Sequence, residues 1–75
     1  MTKHQLVEAA PVMMKRVLGN DHRTAAEKVE FLDFLRVSLD RAADRLDPLG
    51  DLDLYRPLAD LFGRIESEKS LLLEE

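Results

Sequence analysis

The chain has 75 residues, 11 Lys and Arg against 15 Asp and Glu, a net charge of −4 and no cysteine. A chain of this length forms one domain, whose core rarely contributes more than roughly 3–5 kcal/mol. Disulfides, thiolate metal sites and cysteine catalysis are excluded, which leaves oligomerisation or a partner to supplement a small core.

The charge pattern narrows the function classes further. A nucleic-acid binder carries a basic stripe to neutralise phosphates. Here Arg16, Arg23, Arg36, Arg41, Arg45, Arg56 and Arg64 are scattered among acids, so no nucleic-acid partner is expected. The longest apolar run, Leu71-Leu72-Leu73, is far too short to span a bilayer. Near the start, Glu8 and Pro11 interrupt the region where a signal peptide needs unbroken apolar residues. The expectation is a soluble, cytoplasmic protein with no membrane partner. Apolar residues make up 45% of the chain and fall at helical spacing, which argues against disorder. No useful stretch alternates with period two, so the fold class is all-α.

The first helix is predicted over Lys3 to Leu18. Thr2 is placed to cap it. Leu6, Ala10, Met13 and Val17 recur at 4-3-4 spacing as its buried stripe, flanked by Ala9, Met14 and Leu18. Pro11 lacks an N–H and clashes with the carbonyl four residues back, so a kink or restart is expected there. Gly19 is expected to end the helix in a left-handed conformation, with Lys15 and Arg16 near its negative pole.

The second helix begins at Thr24. "TAAE" reads as a capping box, the Thr24 hydroxyl serving the Glu27 N–H and the Glu27 carboxylate reaching back. Asp47-Pro48 closes it, because the residue before proline avoids the helical region. That span is roughly 34 Å at about 1.5 Å per residue, which implies an elongated bundle. After the turn "PLGDLD" the third helix carries Leu54, Leu58, Leu61, Ile65 and Leu72, with Tyr55, Phe62 and Leu73 widening its face. Pro57 fits only in the first turn, so the helix proper begins near Pro57 or is preceded by a loose turn at "DLY".

A short connection makes the second and third helices an antiparallel hairpin. Counting outward from the turn sets Leu46 beside Leu54, Ala42 beside Leu58, Leu39 beside Leu61 and Leu35 beside Ile65. Leu32 then faces Glu68 and Lys28 faces Leu72, so the far end turns polar. Lys28, Glu68 and Lys69 are solvated helix ends or a polar cluster that sets the register. The first helix packs across this hairpin, and the assembled form is expected to be a dimeric helical bundle.

The candidate sites are few. Phe34 and Val37 fall off the Leu32-Leu35-Leu39-Ala42-Leu46 stripe, on a flank shared with Glu30 and Arg41. Either the first helix covers them, or they face a partner, or they are two isolated exposed side chains of the ordinary kind. A large aromatic beside an arginine fits interface composition. Met14, next to the expected kink, is a further contact candidate because methionine adapts to irregular surfaces, whereas Met13 is expected in the core. Asp40, Arg41, Asp44 and Arg45 read as a solvated face with an Arg36–Asp40 contact. His4 and Glu8 could share a metal only with more inward ligands than the sequence offers, so neither a metal nor a cofactor is expected. No nucleophile–base set and no Gly-rich phosphate loop appears, and an enzyme is not expected. A pocket of about 300–1,000 Å³ finds little room in so small a chain.

The function these features favour is a small helical protein–protein interaction module, acting as an accessory, regulatory or inhibitory protein. It would bury an apolar patch around Phe34 and Val37, or around the first helix with Met14, against a second copy or another protein, with Glu30 and Arg41 setting orientation and specificity. The alternative is a DNA-binding regulator of helix-turn-helix type, built from the first helix, "LGNDHR" and the second. Glu27, Glu30 and Asp33 at the start of its recognition helix would repel phosphates.

Overall fold

The computed structural model describes residues 2–74. Three helices make up the fold, α1 (Lys3–Leu18), α2 (Ala25–Asp44) and α3 (Leu52–Glu74), packed as an antiparallel α2/α3 hairpin with α1 laid across both. The molecule measures 41 × 21 × 15 Å, elongated as the length of the second helix implies.

Both of the first two helices start with a capping box. Thr24 Oγ1 accepts from the Glu27 N–H at 3.2 Å, and Glu27 Oε1 accepts from the Thr24 N–H at 3.1 Å. Thr2 and Gln5 make the same reciprocal pair at 3.1 and 2.9 Å, satisfying donors that a helix start otherwise leaves orphaned. These bonds to Thr24 hold the Glu27 carboxyl below the usual range for a glutamate.

The helix ends depart from expectation. Gly19 has φ −85°, and no glycine among the described residues has positive φ. Its role is clearance, because a Cβ there would lie 2.9 Å from the Lys15 carbonyl oxygen. α2 stops at Asp44, short of Asp47, where the chain tightens into Arg45 N–H···O=C Ala42 and Leu46 N–H···O=C Ala43 bonds of 3.1 and 3.2 Å. This i→i−3 pattern is a tight final turn, and it leaves Leu46 half-buried against the core.

The prolines also differ. α1 runs through Pro11 as one helix and does not restart. Pro57 lies inside α3, in its second turn, because the helix begins at Leu52. Each proline withdraws one N–H from the ladder, yet both helices run on through it.

The core joins Val7, Ala10 and Met14 of α1 to Leu32, Leu35 and Leu39 of α2 and to Leu54, Leu58, Leu61 and Ile65 of α3. The stripe in α1 is thus rotated by about one residue from the expected Leu6-Ala10-Met13-Val17. Two ion pairs fasten the hairpin along its outer edge: Asp33 with Lys69 at 2.6 Å, and Arg36 with Glu66. They agree with the register counted from the turn. Lys69 therefore pairs with Asp33 rather than joining Lys28, and Arg36 turns to Glu66 rather than Asp40.

At the turn end a third link crosses all three helices. Lys3 Nζ donates to the Arg45 carbonyl at 3.0 Å and to Asp51 Oδ2. The same oxygen accepts from the Asp47 N–H at 2.8 Å. Asp51 is only 6% exposed. Hydrogen bonds from Asp47 and then Lys3 hold its carboxyl below the usual aspartate range.

Candidate interaction surface

α2 has two flanks and a back. The flank that carries Asp33 and Arg36 is taken up by α3. The opposite flank faces α1 but is only partly covered by it, because α1 has 16 residues and buries only the stripe through Val7, Ala10 and Met14. What remains is an open groove of about 780 Å³. Thr2, Lys3, Leu6 and Met13 form its α1 wall, and Phe34, Ser38, Arg41, Ala42 and Arg45 form its α2 wall. A chain of 75 residues thus does hold a cavity in the size range of ligand pockets. It opens to solvent, because three helices enclose one core but leave the cleft between two of them unroofed.

Phe34 stands on the lip of this groove with 72% of its surface exposed, and Val37 on the back of α2 is 50% exposed. The first helix therefore does not cover them. Glu30 and Arg41 are exposed on the same side of α2, and neither is in an ion pair among the described residues. Four of the five expected contact residues thus share one exposed helix face.

Met14 is the exception. It is completely buried at the centre of the core, so it cannot reach a partner in this conformation. Its neighbour Met13, expected in the core, packs half-buried against it and also lines the groove wall. Met14 takes the fully buried place because the buried stripe of α1 is one residue out of phase with the expected one. Leu6, Ser38 and Arg45 also belong to the groove and carry no signal of it in sequence. Only the missing coverage by α1 brings them together. Ser38 Oγ donates to the Phe34 carbonyl at 3.1 Å, which occupies its hydroxyl within the helix.

This surface offers an aromatic and a β-branched side chain at its centre, with one acid and one base at its ends. No family model matches this sequence, and it matches no curated protein and no solved structure. No helix among the described residues is long and apolar enough to cross a membrane.

Proposed function

We propose that this chain is a small helical protein–protein interaction module, an accessory, regulatory or inhibitory protein that works through the outer face of α2, and that it forms a homodimer on that face. The observation that carries this reading is Phe34, a large aromatic 72% exposed between an exposed acid and an exposed base. Isolated exposed apolar residues are ordinary. Here Phe34 lines the groove together with Leu6 and Met13 and stands one helical turn from the exposed Val37, and contiguous apolar surface marks interaction sites. An aromatic anchor ringed by polar groups is the usual composition of an interface centre. The elongated shape and the small core also favour a second copy as the supplement to stability. The helix-turn-helix reading receives no support from charge, since Glu27, Glu30 and Asp33 occupy the exposed start of α2.

Sedimentation equilibrium of the wild type and of Phe34→Asp tests the reading. A wild-type dimer and a helical, monomeric variant are expected. A stable wild-type monomer that unfolds on Phe34→Asp would place Phe34 in the core and refute the interface.

A further inference from the structure

The outer face of α2 is a charge-reversing palindrome. Glu30, Phe34, Val37 and Arg41 follow one another at 4-3-4 spacing, so they form one stripe along the helix, turned away from the buried Leu32-Leu35-Leu39 stripe. Read backwards, base replaces acid and aliphatic replaces aromatic. All four side chains are exposed.

Such a stripe is complementary to itself in only one orientation. In a parallel pairing, Glu30 meets Glu30 and Arg41 meets Arg41, which is repulsive. In an antiparallel pairing about a two-fold axis between Phe34 and Val37, Phe34 of each copy meets Val37 of the other, and Glu30 of each meets Arg41 of the other. The two-fold makes each contact occur twice. The 4-3-4 spacing is also that of a helical seam, in which paired positions of two antiparallel helices interlock. Neither charged group has a competing ion-pair partner within its own chain among the described residues.

We propose that α2 docks antiparallel on α2 of a second copy in this register, with two Phe34–Val37 contacts at the centre closed at each end by a Glu30–Arg41 pair. The proposal rests on the interaction-module reading above and specifies its partner and geometry. The matched seam is short. One turn further out Glu27 faces Asp44 of the other copy, a like-charge meeting that limits the interface to its four central positions. Removing it should tighten the dimer, so Asp44→Lys is expected to lower the dissociation constant.

Charge reversal tests the register. By sedimentation equilibrium, Glu30→Arg and Arg41→Glu are each expected to be monomeric at concentrations where the wild type is dimeric. The double variant Glu30→Arg/Arg41→Glu is expected to be dimeric again, because each pair is restored with its signs exchanged. An equimolar mixture of the two single variants is expected to form a heterodimer for the same reason, and this arm also verifies that both monomers are folded. A parallel seam predicts instead that each single variant dimerises as the wild type does, since neither reversal changes its like-charge contacts, so the single variants decide the orientation. Single variants that remain dimeric, a double variant that stays monomeric, or a mixture that forms no heterodimer overturns the register. If Phe34→Asp dissociates the dimer while the charge reversals do not, the interaction surface stands and this geometry falls. A wild type monomeric at every concentration overturns the self-pairing outright.

Discussion

Lys3 reaches from the first turn of α1 to Asp51 at the start of α3, and a single carboxylate oxygen of Asp51 takes both that ammonium and the Asp47 backbone N–H. The same ammonium donates to the Arg45 carbonyl where α2 ends. One buried charge therefore holds together the ends of all three helices. A buried carboxylate is stable only when paired and hydrogen-bonded, and Asp51 meets both conditions.

The pH dependence of stability follows from this contact. Asp51 and Glu27 both titrate below the usual carboxylate range in the folded chain. A carboxyl with a depressed folded pKa contributes stability that is complete above its unfolded value, about 3.9 for aspartate and 4.3 for glutamate. That contribution is lost as pH falls through this value towards the folded one. The urea midpoint is therefore expected to hold steady above about pH 5 and to fall in more acidic solution. Asp51→Asn keeps an acceptor for the Asp47 N–H but loses the ion pair with Lys3. It is expected to lower the thermal midpoint at neutral pH and to make the acid limb shallower than in the wild type. An acid limb of unchanged steepness would show that Asp51 is not a principal source of it.

Two glycines should respond to alanine in opposite directions. At Gly19 the new methyl would press on the Lys15 carbonyl oxygen at 2.9 Å, and that oxygen already accepts the Gly19 N–H. Gly19→Ala is therefore expected to destabilise, by a backbone shift at the end of α1. At Gly63 nothing lies within 4 Å of an added Cβ, and the residue sits in the interior of α3. Glycine there costs roughly 0.5–1 kcal/mol relative to alanine, so Gly63→Ala is expected to stabilise by about that much. Chemical denaturation of both variants checks the signs, and a loss of stability at Gly63 would contradict the open space around it.

What the sequence makes legible here depends on distance along the chain. The Thr24 box is complete within four residues, and the hairpin register follows from leucines counted outward from one turn. The phase of α1 is not legible, because its apolar residues come in doublets, Leu6-Val7, Ala9-Ala10, Met13-Met14 and Val17-Leu18. Helical spacing fits two stripes one residue apart, and only packing against α2 and α3 chooses between them. That ambiguity is why Met14 looks available for contact and is buried. The Lys3–Asp51 link spans 48 positions and leaves no local signature. Phe34 is the converse case. Its displacement from the core stripe is visible in sequence, whereas the groove beside it depends on how short α1 is relative to the cleft.

Folding and association are separable at two positions on one helix. Leu39 is fully buried between the other two helices, and Phe34, five residues earlier, is largely exposed. Truncating a buried leucine removes its transfer free energy and leaves a cavity, typically about 2–5 kcal/mol. That is comparable to the roughly 3–5 kcal/mol a core of this size supplies, so Leu39→Ala is expected to leave most of the chain unfolded at room temperature by circular dichroism. Phe34→Ala removes a larger side chain yet leaves no cavity in the monomer. At dilutions where the wild type is also monomeric, its stability is expected to stay within about 0.5 kcal/mol. As concentration rises, the wild-type midpoint should climb by mass action while that of Phe34→Ala stays flat. Parallel concentration dependence in both proteins would show that Phe34 is not at the association surface.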